Sequence, residues 1–155
     1  LSSKTFFIDP NQHKEQVLNI VQQLYVHQQS CGYFPLSSNG LELWWDAIYS
    51  TLGHYSQIVA IGSQDLVKGI SVCRLKSYPK YLQAPPRALI SEFFISPDQR
   101  SQGLGTMLYK ASQAWFTSKG LQQIEINIVA NNLSADHFWQ KMGFKNELSQ
   151  WSASL

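Results

Sequence analysis

Residues 88–105 read ALISEFFISPDQRSQGLG, and the succession of residue types in that stretch decides the fold. Leu89 to Ile95 is apolar on both faces except for Ser91 and Glu92, the composition of a strand buried at the centre of a sheet. Pro97 ends it. A short polar loop with two spaced glycines, Gly103 and Gly105, then feeds a helix whose Leu104, Met107, Leu108, Ala111, Ala114 and Trp115 share one face, and which Gly120 closes. That order of parts builds an anion-binding helix N-terminus beside a strand end, which a phosphate-bearing cofactor can use. Beyond the helix, Gln123–Val129 alternates Ile124, Ile126 and Ile128 with Glu125 and Asn127, so a second strand follows. Strand, helix and strand this close together predict a right-handed βαβ unit with parallel strands.

The flanks extend this unit. Thr5–Ile8 is a short strand-like run, and Asp9-Pro10 offers a cap followed by proline at the first helical position. Val17, Ile20, Val21 and Leu24 form one stripe of a helix ending near Ser30 to Gly32. A loop from Cys31 to Gly40 leads to a second helix with Leu41, Trp44, Trp45, Ile48 and Leu52 on one face. Gln57–Ile61 and Leu66–Leu75 then read as an antiparallel hairpin, and the proline-rich KSYPKYLQAPPR at 76–87 as a long exposed connection. Asn132 or Ser134 caps a last helix bearing Ala135, Phe138, Trp139 and Met142, ended by Gly143; one or two short strands are expected in 144–155.

Composition bounds the rest. At 155 residues and 44% hydrophobic, the chain is expected to form one domain spanning 1–155. Its +2 formal charge is spread without a basic run or acidic tail, so nothing in the pattern calls for nucleic acid. No apolar run approaches the roughly 18 residues that span a bilayer, and LSSKTFF is not a signal-peptide pattern. Cys31 and Cys73 match no zinc or redox spacing and read as small reduced hydrophobes, consistent with a cytoplasmic location. The chain begins at Leu1 without methionine, which leaves open a trimmed terminus or a preceding segment.

The glycine loop departs from two well-known motifs. It lacks the Gly-Lys-Ser/Thr ending of a P-loop, and it lacks the third glycine and the distal acid of the dinucleotide fingerprint. Arg100-x-x-Gly103-x-Gly105, after a strand ending Phe-Ile-Ser-Pro, instead resembles the Q/R-x-x-G-x-G/A signature of the GNAT superfamily of acyl-CoA-dependent N-acetyltransferases. Asn132-x-x-Ala135-x-x-Phe138-Trp139-x-x-x-Gly143-Phe144 is similar to that superfamily's N-x-x-A-x-x-F/L-Y-x-x-x-G-F segment, in the right order and at the usual separation. The resemblance implies an α/β fold with a mixed sheet, ordered β-α-α-β-β-β-α-β-α-β(-β), whose two central parallel strands splay apart.

It also implies roles. Acetyl-CoA would be the acyl donor, its pyrophosphate on the backbone of Ser101, Gln102, Gly103, Leu104, Gly105 and Thr106 with Arg100 adding charge. Its pantetheine would bond like an added strand to Phe93, Phe94 and Ile95, and Asn132, Ala135 and Trp139 would complete the cofactor site. The Ile95 N–H would polarise the acetyl carbonyl. The acceptor is expected to be a primary amine of a small molecule or peptide, attacking directly in a ternary complex, and relatives are often homodimers. Glu92, the only acid on the central strand, is the candidate base for the acceptor ammonium, against the alternative that it is paired with a nearby base or partly solvated at the groove edge. Many relatives use a tyrosine as general acid where this chain has Trp139; Ser134, His137, Tyr109 or water are the substitutes. Tyr33, Phe34, Trp44, Trp45 and His54 fall in segments that would cover the acceptor side, where they suit either packing or a cationic acceptor. The departure at Trp139 keeps open a noncatalytic acyl-CoA sensor or an interaction module on the same fold.

Overall fold

Asp9 and Pro10 start the first helix as their types require: the Asp9 carboxylate accepts the Asn11 N–H at 2.9 Å, and proline occupies the first turn, where its missing N–H costs nothing. The computed structural model describes residues 2–100 and 102–155. In chain order it comprises β1 (Lys4–Phe7), α1 (Pro10–Ser30), α2 (Gly40–Tyr49), β2 (Ser56–Gly62), β3 (Val67–Lys76), β4 (Arg87–Ile95), a 3-10 turn (Pro97–Gln99), α3 (Leu104–Ser118), β5 (Ile124–Ile126) and α4 (Leu133–Lys141).

The five strands form one mixed sheet in sequence order, β1-β2-β3-β4-β5. The first three pairings are antiparallel and β4–β5 is parallel, the two joined by the α3 crossover. Each face carries its own apolar cluster. On one, Val17, Ile20, Val21 and Leu24 of α1 and Trp45 and Ile48 of α2 meet Ile58, Ile70, Val72 and Phe94; on the other, Leu104, Leu108 and Phe116 of α3 and Trp139 of α4 meet Val59, Ile61, Cys73, Ala88 and Ile90. Strand alternation deals alternate residues of β2, β3 and β4 to the two clusters. The tryptophan pair divides: Trp45 is buried, whereas Trp44 is half-buried and its Nε1 is buried without a partner.

Two irregularities prepare a site. Pairing along β3 and β4 jumps from Val72↔Glu92 to Cys73↔Ile90, so Ser91 is the extra residue of a β-bulge. The parallel ladder is short: it runs Ala88↔Ile124, Leu89↔Glu125, Ile90↔Ile126 and ends there. β4 continues for five residues past Ile90 with β5 no longer beside it.

Two expectations differ from the structure. The second strand of the βαβ unit is only Ile124–Ile126, not Gln123–Val129, because β5 leaves β4 as the ladder ends. Residues 144–155 form no strand. Leu148 and Trp151 are 91% and 90% exposed, so the tail has no apolar set to bury against the sheet, and β5 offers it little ladder. An ion pair from Arg87 to Glu147, 2.7 Å, ties it to β4 instead. No helix among the described residues is long and apolar enough to cross a membrane.

His13 is fully buried on α1 and bonded through both ring nitrogens: Nδ1 accepts the Asp9 N–H at 2.8 Å, which makes Nε2 the donor to the Gln64 carbonyl at 2.9 Å. It fastens the start of α1 to the β2–β3 turn. Replacing it by leucine leaves the Asp9 N–H without its acceptor, while the Gln64 carbonyl keeps Gln12 Nε2 at 3.2 Å, so His13→Leu is expected to cost about 1–2 kcal/mol in urea unfolding at neutral pH; an unchanged midpoint would show that the fastening contributes nothing.

Candidate functional site

The ladder's early end leaves backbone unpaired at the centre of the molecule. Ser96 N–H bonds Lys68 O at 2.9 Å across β3. By antiparallel alternation the N–H groups of Phe93 and Ile95 then point away from β3, toward the side that β5 has vacated. A cleft of about 40 Å³ opens there. Leu24 and Gln28 of α1 wall it on one side, Ala135 and Trp139 of α4 on the other, with Phe93, Ile126 and Asn132 between. Two hydrogen bonds join the end of α1 to the start of α4: His27 Nε2 donates to Asn132 Oδ1 at 3.3 Å, and Asn131 Nδ2 donates to the Cys31 carbonyl at 3.3 Å.

At the end of β4 the loop delivers the start of α3. Gly103 stands before it at φ +72°, a left-handed conformation that disfavours any side chain, and no side chain caps the helix. The first N–H groups therefore keep their hydrogen-bonding capacity and the positive end of the helix dipole is bare. Gly105 has a different reason to be glycine. A Cβ there would stand 3.0 Å from Phe138 Cε1, so the residue lets α4 approach α3.

The expected site residues fall as follows. Phe93 lines the cleft, Ile95 stands two residues further along β4 with its N–H turned from β3, Phe94 packs under α1, and Gln102, Gly103, Leu104, Gly105 and Thr106 form the loop and first turn of α3. Ser101 lies outside the described residues. Arg100 turns back on the strand end: its Nε donates to the Ile95 carbonyl at 3.0 Å and its guanidinium stands 4.9 Å from the Phe94 ring centroid. Asn132 caps α4, its Oδ1 accepting from Ala135 N at 3.3 Å and Ser134 Oγ at 3.2 Å.

Trp139 is 5% exposed and boxed edge-on by Phe93 (4.8 Å), Phe138 (4.9 Å), Phe144 (5.0 Å) and Tyr109 (5.3 Å). Burial raises the pKa of Tyr109, so that phenol keeps its proton near neutrality. Ser134 is committed to Asn132, and His137 is exposed. Of the aromatic set on the α2 side, Tyr33 and Phe34 are exposed on the α1–α2 loop and His54 is exposed beyond α2.

Glu92 is the one buried carboxylate, 6% exposed among the described residues. The bulge turns Ser91 to the same side, where its hydroxyl donates to Glu92 Oε1 at 2.6 Å and accepts Arg74 Nε at 2.8 Å. Arg74 also stands 3.8 Å from Oε1, and Tyr25 donates to Oε2 at 2.8 Å. Sequence reading singled out none of Arg74, Ser91, Tyr25 or His27 for these roles. Only the β3–β4 register and the packing of α1 bring them together; Tyr25 shares the exposure pattern of an ordinary helix flank.

Tyr25 also lines a much larger pocket, about 640 Å³, between α1 and the loop that leads to α2. Its walls include Glu15, Asn19, Gln22, Ser38 and Glu42 and no basic side chain. Glu42 is paired with Lys14 at 3.1 Å.

The model of the acetyltransferase (GNAT) family matches residues 19–144. Among solved structures, the aminoglycoside N-acetyltransferase AAC(6')-Iy with the bisubstrate analogue CoA-S-monomethyl-acetylneamine superposes with a TM-score of 0.78 at 16% identity, covering 100% of this chain and 99% of that one. A tetramutant of the BH1408 protein from Bacillus halodurans gives 0.79 at 17% identity over 100% of both chains. An aminoglycoside acetyltransferase, meta-AAC0020, from an uncultured soil metagenomic sample gives 0.70 at 13% identity, covering 99% and 96%. At these identities the likeness is one of fold. No curated protein matches the sequence.

The close approach at Gly105 yields a packing prediction. Gly105→Val is expected to cost about 1–3 kcal/mol by forcing Phe138 aside. Combining it with Phe138→Leu should recover part of that loss, with a coupling above about 0.5 kcal/mol in a four-variant denaturation cycle. Strict additivity would mean that the two residues do not meet.

Proposed function

Because the chain belongs to the acetyltransferase (GNAT) family, whose acyl donor is acetyl-CoA, we propose that it acetylates a primary amine of a small molecule or peptide, with donor and acceptor held together and the amine attacking directly. The observation that carries this reading is the departure of β5 from β4 after Ile90, beside a helix that starts uncapped at Leu104.

The residues present fit coenzyme A. The uncapped first turn of α3, from Gly103 to Thr106, offers backbone N–H groups to a pyrophosphate, as the dipole favours. Phe93 and Ile95 offer the backbone of a sheet edge to the amides of the pantetheine arm. Ala135 and Trp139 wall that arm, and Asn132 keeps α4 in place by capping it. Bound there, acetyl-CoA supplies an activated acetyl thioester.

The protein's own tasks are two. Ile95 N–H, fixed by the β3 ladder, stabilises negative charge that develops on the acetyl oxygen. Glu92 receives the proton that the acceptor ammonium must lose before it can attack. The acceptor sits in the pocket between α1 and the α1–α2 loop, whose Glu15 carboxylate, with Asn19, Gln22 and Ser38, favours a cation with hydroxyl or further amino groups. A noncatalytic acyl-CoA sensor is the second reading, favoured by Trp139: an indole N–H has no useful acidity, and this one sits inside an aromatic box.

Acetyl-CoA at about 100 times its dissociation constant should stabilise the fold by roughly 2.7 kcal/mol, a rise in Tm of about 5–11 °C by scanning fluorimetry; no rise would overturn both readings. Thiol release across polyamines, amino acids, aminoglycosides and peptide N-termini separates them, since a sensor releases none. Glu92→Gln is expected to lower kcat by about 10²–10⁴ while the thermal shift persists. If Trp139→Tyr raises kcat at unchanged cofactor affinity, protonation of the leaving group was limiting.

A further inference from the structure

Both oxygens of Glu92 are taken. Ser91 holds Oε1, with Arg74 close by, and Tyr25 holds Oε2. With the carboxylate buried, an amine in the large pocket meets Tyr25 rather than Glu92, because the same side chain lines that pocket and donates to the carboxylate at 2.8 Å. A phenol that donates one hydrogen bond keeps lone pairs with which to accept another.

We propose that Tyr25 is the proton relay of the reaction, accepting a proton from the acceptor ammonium as it hands its own to Glu92. The inference rests on the acetyl-transfer reading above. In the step, an ammonium N–H bond breaks as a new Oη–H bond forms, and the old Oη–H bond breaks as Oε2–H forms. Ammonium and carboxylate become amine and carboxylic acid, and Tyr25 ends as the phenol it was. Once the acetylated product has left, the proton returns through Tyr25 to water.

The surroundings suit a relay better than a free tyrosinate base. Burial, then the Glu92 charge, push the Tyr25 pKa far above its ordinary value. The phenol stays protonated through the neutral range, so it can pass a proton on only in exchange for another. The other groups acting on the pair are Tyr33 from the α1–α2 loop and Arg74 from β3; Glu15 and Glu42 stand elsewhere in the pocket wall.

The test uses the whole chain, with acetyl-CoA and either spermidine or neamine as acceptor, in four forms: wild type, Tyr25→Phe, Glu92→Gln and the double variant. Tyr25→Phe is expected to lose about 10²-fold in kcat with an unchanged acetyl-CoA dissociation constant by calorimetry. The double variant should be no slower than the slower single one, because the two groups act as a unit. The kcat of Tyr25→Phe should also climb with pH, as water comes to supply neutral amine.

Wild-type kcat in Tyr25→Phe, losses that multiply in the double variant, or a loss without a changed pH profile would overturn the relay. Fluorotyrosine at position 25 keeps the shape and makes the phenol more acidic, so it serves if phenylalanine harms folding. It should change kcat at unchanged acetyl-CoA affinity while leaving the pH profile in place, and an unchanged kcat counts against the relay. A wild type that binds acetyl-CoA yet releases thiol with none of the polyamines, amino acids, aminoglycosides and peptide N-termini overturns the acetyl-transfer reading and the relay with it; an active wild type with an indifferent position 25 overturns the relay alone.

Discussion

A strand in the middle of a sheet ordinarily has both its edges bonded, and β4 does not. Past Ile90 it is bonded on the β3 side only, and the N–H groups of Phe93 and Ile95 face a gap. Buried backbone left without a partner costs about 1–3 kcal/mol per group, and Ile95 is buried. The fold carries that cost because β4 is anchored everywhere else: by the full β3 ladder, by α1 above it and by α3 below. Stability elsewhere holds open a sheet edge at the centre of the protein, where a ligand with amide groups can complete it.

The bulge at Ser91 extends the same logic to side chains. Regular alternation would send Ser91 and Glu92 to opposite faces. The extra residue puts them on one side, and the serine hydroxyl becomes the bridge between the Arg74 guanidinium and the Glu92 carboxylate. Burying a carboxylate is tolerable only when hydrogen bonds and a counter-charge replace its water. Here Ser91, Arg74 and Tyr25 supply them, and of the three only Tyr25 also lines the large pocket.

Much of this was legible in the sequence, for local reasons. Asp9-Pro10, the apolar stripe of α3, Gly103 before its first turn and Asn132 at the start of α4 act within a few residues, so spacing reveals them. What stayed hidden depends on register. Arg74 lies opposite Leu89, and it reaches Ser91 only because the bulge shifts the ladder by one. Gly105 also lets α4 approach α3, and that contact joins residues 33 positions apart. The missing terminal strand is the converse case: sequence offered a weak alternation, and the short β5 gave it little to pair with.

The last turns of α1 contribute lining to both the cleft and the large pocket. Leu24 and Gln28 face the cleft between the parallel strands, while Tyr25, Val26 and Gln29 face the large pocket, and His27 joins the helix to α4. A helix turn is rigid on the scale of an ångström, so a ligand that shifts this lining from one side reshapes the chamber on the other. Thermodynamics makes such coupling symmetrical: whatever factor one occupant imposes on the affinity of the other is imposed on it in return. Any such coupling between cleft and pocket runs through a single helical turn.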